Sequence, residues 1–169
     1  METLFDLPAH ALLIHAPIVL LPIAALATVA LAVKRSWRVR AGWWFVGGVF
    51  SIVVMVFFAR QSGEAFDEAL DGAVDVGAHK DLANTTFLLT LLWFASAATL
   101  VGLDRHSNGA GAISVDRDGE TGSVSVSVIR NSFAVAASIF AVLATVWLIR
   151  TGHEGADLVW RQTTDTVFD

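Results

Sequence analysis

The sequence predicts an all-α integral membrane protein built as a bundle of four spanning helices. Two observations carry that class. Hydrophobic residues make up 55% of the 169-residue chain and charged residues only 16%, with a mean hydropathy of +0.64, whereas a soluble globular domain carries roughly 25% charged residues. Apolar runs over residues 10–33, 41–59, 82–103 and 132–149 each approach the roughly 20 residues that a spanning helix requires. These leave little chain for anything else, so residues 1–169 read as one domain.

The first run follows the acidic start Met1-Glu2-Thr3-Leu4-Phe5-Asp6 and is long and marked by Pro17. A cleaved leader would have a basic start and a shorter apolar core, so the run is expected to be the first span. Between the first two runs, Lys34-Arg35-Ser36-Trp37-Arg38-Val39-Arg40 carries four basic residues and no acidic one, which assigns this connection to the cytoplasm and both termini to the outside of the membrane. Seven of the eleven Lys and Arg residues then lie inside: Lys34, Arg35, Arg38, Arg40, Arg105, Arg117 and Arg130. Twelve of the sixteen acidic residues lie outside. Trp37, Trp43, Trp44 and Trp160 stand where an interfacial aromatic belt would.

The third run opens on a turn kept polar by Asp81 and Asn84. It is separated from the fourth by an insert, residues 104–130, of different composition. Ala112-Ile113-Ser114-Val115 and Ser123-Val124-Ser125-Val126-Ser127-Val128 alternate polar and apolar residues around Asp118-Gly119, the pattern of a short cytoplasmic β-hairpin. A flexible Ser/Gly-rich linker accounts for it equally well, since an isolated hairpin is marginal in water. The even-numbered runs end alike, in Arg60-Gln61-Ser62-Gly63-Glu64 and Arg150-Thr151-Gly152-His153-Glu154, and His15 and His79 stand at the starts of the odd-numbered ones. Two repeated helical hairpins, related by a pseudo-two-fold along the membrane normal, would place those histidines at equivalent depths.

The absence of cysteine excludes covalent c-type haem, iron–sulfur clusters, thiolate zinc and disulfides on this chain's own ligands. Two methionines are too few for a Met-ligated copper site. There is no His-Glu-x-x-His, nucleophile elbow or P-loop, and nothing points to nucleic acid. Catalytic residues are therefore not assigned. The depth of the spans holds only hydroxyl side chains, among them Ser51, Thr90, Ser96 and Thr145, so a proton relay lacks the ionisable positions it needs.

What remains is a cluster of imidazoles at the outer ends of the spans, His10, His15, His79 and His153. Such a cluster suits a b-type haem, with His15 and His79 as axial ligands on facing helices and Arg60 and Arg150 as partners of its propionates. Gly47, Gly48 and Ser51, with Ala95, Ser96, Ala97 and Ala98, would ease helix approach, though they lie towards the inner half. A mononuclear metal site is the alternative, drawing on His15 and His79 with His10, His153 and Glu154 or Glu64. Against it, His10 and His15 lie about 140° apart around an ideal helix. An accessory or structural membrane protein, with outer histidines held by hydrogen bonds and no cofactor, is the further reading. The expected partners are the lipid bilayer and either a redox partner or a neighbouring membrane subunit.

Several segments resemble a bacterial family of predicted membrane proteins, domain of unknown function 2231. His10-Ala11-Leu12-Leu13-Ile14-His15-Ala16-Pro17-Ile18 is similar to that family's His-Pro-x-x-Val-His-Phe-Pro-Ile opening. Ser62-Gly63-Glu64-Ala65 and Ala78-His79-Lys80-Asp81-Leu82-Ala83 resemble its Thr-Gly-Glu-x-Ala and Ala-His-x-x-Leu-Ala stretches, and Thr151-Gly152-His153-Glu154-Gly155-Ala156-Asp157-Leu158-Val159-Trp160 resembles its closing (Ser/Thr)-Gly-His-x-Gly-Gly-x-Leu-Val-Tyr. The chain departs at Ala11, Ala16, Ala156 and Trp160. The resemblance implies a four-helix fold in a bacterial inner membrane and carries no activity.

Overall fold

The computed structural model describes residues 3–4, 7–8, 13–70, 75–109 and 126–168. Four helices dominate: α1 (His15–Val33), α2 (Arg35–Leu70), α3 (Gly77–Gly109) and α4 (Val126–Phe168). Ahead of them lies a minimal antiparallel ladder of β1 (Thr3–Leu4) and β2 (Leu7–Pro8). All four helices are long and apolar enough to cross a membrane. The helices α2, α3 and α4 run well past the apolar segments, so polar turns extend the bundle at both ends. Most of the expected hairpin insert lies outside the described residues. Its last residues, Val126, Ser127 and Val128, belong to α4 rather than to a strand, because they continue directly into the apolar helical run.

The connection expected between the first two spans is itself helical. Lys34 alone interrupts the helix, with its N–H still bonded to Ala30 O at 3.0 Å. Residues 35–41 then form a short helical stretch that breaks at Gly42, whose φ of 50° and ψ of −132° lie outside the helical region. Only glycine adopts such a conformation without strain. The segment therefore turns the chain between spans while keeping its backbone hydrogen-bonded.

Around the bundle, α1 packs on α2 and α4, and α3 packs on the same two neighbours. The ring order α1–α2–α3–α4, with α1 and α3 on one diagonal, is the one that two parallel hairpins require. The core comprises Leu21, Ala25, Val49, Ile52, Val56, Trp93, Ala97, Ala137, Ala141 and Ala144. Alanine at these α4 positions lets α3 approach closely, as small residues do between membrane helices. Trp93, fully buried, reaches across the diagonal and donates its Nε1–H to Thr28 Oγ1 at 3.2 Å.

Inner residues of α3 and α4 follow one spacing. His79, Ala83, Thr86, Thr90, Trp93, Ala97, Leu100 and Asp104 alternate steps of four and three along α3, as Arg130, Ala134, Ala137, Ala141, Ala144, Leu148, Thr151 and Gly155 do along α4. That is the 3.5-residue repeat of helices supercoiled with left-handed crossing. Large apolar residues such as Ile23, Leu26, Phe58, Val135 and Ile149 face outward, which suits lipid rather than water. Hydroxyls within the spans bond back to the carbonyl four residues earlier, as Thr90 does to Thr86 O and Thr145 to Ala141 O, so each is satisfied inside its own helix. Gly47 and Gly48 differ from expectation. Both are exposed, and a Cβ at either would meet nothing within 4 Å, so they face outward and take no part in helix packing.

Candidate functional site

At the end of the bundle where α1 and α3 begin, the helices part to leave a cavity of about 600 Å³. All four contribute to its wall. Ile14, Pro17 and Ile18 line it from α1; Val56, Ala59, Arg60 and Gly63 from α2; His79, Ala83 and Thr86 from α3; Leu148, Thr151, Gly152 and Gly155 from α4. Most of the wall is apolar, and its volume falls in the range of roughly 300–1,000 Å³ typical of small-molecule sites.

His79 holds its place because it begins the inner stripe of α3, and because α4 presents glycine opposite it. A Cβ on Gly155 would stand 3.1 Å from His79 Cε1 and 3.3 Å from Nδ1, so the imidazole lies directly against the helix. Its Nδ1 is buried and has no hydrogen-bond partner among the described residues. An unsatisfied buried polar atom typically costs about 1–3 kcal/mol, and in a cavity wall it marks a place where a ligand atom or water would be favourable. Below it, Thr86 Oγ1 and Thr151 Oγ1 lie 3.2 Å apart.

The charged residues of the wall are paired. Arg60 donates Nε–H to Asn84 Oδ1 at 2.5 Å and lies 2.7 Å from Glu64 through Nη2. Lys80 Nζ lies 2.7 Å from Asp67 Oδ2. The Arg60–Asn84 and Lys80–Asp67 contacts join α2 to α3 around the mouth, and the pairings leave the cavity without a strong charge.

Of the expected ligands among the described residues, His79, Arg60 and Glu64 line this cavity. His15 is exposed on α1, because Ile14, Pro17, Ile18 and Leu21 form the inward stripe and His15 lies about 100° around from Ile14. Arg150 is exposed too, its guanidinium 5.2 Å from the Trp147 ring centroid. His153 is exposed, Glu154 is half-buried, and neither lines the cavity. His10 lies outside the described residues. Among the described residues no three His, Cys, Asp or Glu side chains gather as a metal would need. Gly155, Asn84 and the Thr86–Thr151 pair were not among the expected site residues. The heptad phase of His79 along α3 is the sequence signal that finds Thr86, and the phase of the buried alanines along α4 is the one that finds Thr151 and Gly155.

The opposite end of the bundle holds a second polar cluster that the sequence reading did not single out. Asp104 ends the α3 stripe, 3% exposed, and accepts Arg38 Nε–H at 2.6 Å and Arg35 Nε–H at 3.1 Å. Arg130 Nε stands 3.8 Å away. Arg38, itself 3% exposed, also donates Nη1–H to Leu31 O and Ala32 O at 2.8 and 3.1 Å. These are terminal carbonyls of α1 that no further helical turn satisfies. Side chains of α2, α3 and α4 therefore meet at one carboxylate, and Arg38 ties the end of α1 to them.

Four membrane-crossing helices, closed by an ionic cluster at one end and parted around an apolar cavity at the other, define a polytopic membrane protein with a small-molecule-sized site. The chain belongs to the family described as Predicted membrane protein (DUF2231), whose model matches residues 6–167. No curated protein and no solved structure matches it.

Proposed function

We propose that this membrane protein is a binding module for an apolar small molecule or cofactor, held in the cavity at the His79 end. The observation that carries the reading is a cavity with an apolar wall drawn from all four helices, into which His79 is built with a buried nitrogen that has no partner among the described residues. Of the cofactors compatible with a chain lacking cysteine, b-type haem is the one these residues address. His79 would supply the axial nitrogen, and Arg60 would exchange Glu64 for an anionic edge of the ligand. With His15 and Arg150 off the cavity wall, His79 is the imidazole among the described residues that would hold such a group. The basic connection at the other end supports placing the cavity and both termini on the outer side of the membrane. A redox role would then require a partner at that face.

The test is a visible spectrum of the protein purified from its membrane in mild detergent, oxidised, dithionite-reduced and reduced under carbon monoxide. A Soret band that shifts with carbon monoxide and is lost in His79→Ala, but kept in His15→Ala, supports the single-imidazole site. Loss in both variants restores the bis-histidine site. A folded, colourless protein that also takes up no added haemin refutes the haem reading. It then favours an accessory role, for which the paired charges around the mouth are the supporting observation.

A further inference from the structure

The floor of the cavity at the His79 end has a polarity that its apolar wall lacks. Thr86, 2% exposed, and Thr151 line it side by side, their Oγ1 atoms 3.2 Å apart. Each hydroxyl also reaches the carbonyl four residues earlier in its own helix, Thr86 Oγ1 to Leu82 O and Thr151 Oγ1 to Trp147 O, both at 2.8 Å. A hydroxyl brings one hydrogen and two lone pairs. The two side chains therefore hold two hydrogens between them, against two carbonyls and each other as acceptors. Both hydrogens are used inside the pair and its helices, and lone pairs are what is left for the cavity. The floor accepts a hydrogen bond, and donates one only by giving up a bond it already makes.

A second polar atom belongs to the same chamber. His79 Nδ1 is buried with no hydrogen-bond partner among the described residues, and its ring lies against Gly155, four residues or about 6 Å of rise beyond Thr151 along α4. The haem reading uses that nitrogen and Arg60, and gives the floor no part. A molecule that is apolar enough for this wall, yet suits an acceptor floor, must bring a hydrogen on an electronegative atom. A carbonyl or ether oxygen in the same place sets lone pairs against lone pairs, and leaves buried polar atoms unsatisfied. A phenolic hydroxyl, with a pKa of about 10, is a better donor than an alkyl alcohol, and its flat ring suits a chamber widened by all four helices.

We propose that the cavity takes a lipid-soluble phenol, the class that includes quinols, with its hydroxyl donated to the Thr86–Thr151 pair and its ring among Val56, Ala83 and Leu148. The inference rests on the cavity being a small-molecule site. It does not require that His79 ligate haem.

The test compares two probes, para-octylphenol and its methyl ether para-octylanisole, on the full chain in mild detergent, with bound probe counted by native mass spectrometry. The two are close in shape and hydropathy, but the ether has no hydrogen to donate. The wild type should hold the phenol about fivefold more tightly, the size of one neutral hydrogen bond of about 1 kcal/mol. That comparison needs no variant. Thr86→Val/Thr151→Val, which keeps the branched shape and removes the acceptors, should abolish the preference, whereas Thr86→Ser/Thr151→Ser should keep it. Ala83→Phe, which fills the chamber, should exclude both probes. Failure to bind the phenol, equal binding of the two probes by the wild type, or a preference that persists in the double valine variant overturns the proposal and leaves the cavity reading to the haem spectrum. Equal uptake by the wild type and Ala83→Phe overturns both, because the probes then bind elsewhere than in the cavity.

Discussion

Replacing Asp104 by asparagine tests whether the ionic cluster or the alanine-lined core holds the bundle closed. The substitution is nearly isosteric and keeps one carbonyl acceptor, so it removes charge with little change of shape. In the wild type the carboxylate and the Arg38 side chain are each 3% exposed and 2.6 Å apart. Breaking a buried pair by removing one partner typically costs about 3–5 kcal/mol, because the remaining charge is left uncompensated. Here three guanidiniums would face one another, which places the loss at the upper part of that range. The exposed Arg35 arm adds little, since water screens it. Arg38→Gln should cost a comparable amount by another route: it frees Asp104 from its closest partner and strips Leu31 O and Ala32 O of their donor. The assay is reversible unfolding by denaturing detergent, followed by circular dichroism. The double variant Asp104→Leu/Arg38→Met should lose less than the two single variants summed, since neither half of the pair is left buried alone, although the Leu31 and Ala32 carbonyls still lose their donor. A loss below about 1 kcal/mol for Asp104→Asn, the size of a surface pair, would refute the claim that the cluster is a buried clamp.

Two further outcomes concern glycines. Gly42→Ala should destabilise by about 2 kcal/mol or more, because the new Cβ meets both a positive φ and the Arg105 Nη2 atom at 2.7 Å; thermal unfolding would show it. Gly155→Ala sets a helix-propensity gain of about 1 kcal/mol against overpacking of about 1–3 kcal/mol on the His79 ring. The ring can retreat into the cavity, so stability should change by less than about 1 kcal/mol, while any ligand held by His79 is bound more weakly in a spectroscopic titration.

The four spans were legible because lipid imposes length and hydropathy on every spanning segment, and local composition reports both. Facing was legible too, but only through spacing. Ala134, Ala137, Ala141 and Ala144 repeat at three and four residues, and extending that phase reaches Arg130 at one end and Gly155 at the other. Reading the histidines by depth alone paired His15 with His79, whereas their angular positions separate them. Ile14, Pro17 and Ile18 turn inward together, and His15 is carried to the flank. Asp104 escaped notice as the first residue of a polar insert, since sequence shows a charge at a boundary without showing the three arginines that fold onto it. The helical stretch 35–41 was hidden for a related reason. Its four-residue neighbourhood of basic side chains reads as a loop until Asp104 and the α1 carbonyls are in place to receive Arg35 and Arg38.

The stripe of α3 carries His79 at one end and Asp104 at the other, 25 residues apart, on one uninterrupted helix. Both ends are therefore kept in angular phase by every residue between them. Inserting a single residue near Trp93 would advance one half by about 100°, so that no rotation of the helix could seat the imidazole on Gly155 and the carboxylate among its arginines together. Substitutions along this rod are gradual in effect, but a change in its length by one residue is a change of gear. Only insertions close to a multiple of seven residues would preserve the mesh, and those would lift one end out of the membrane thickness that the other three helices share.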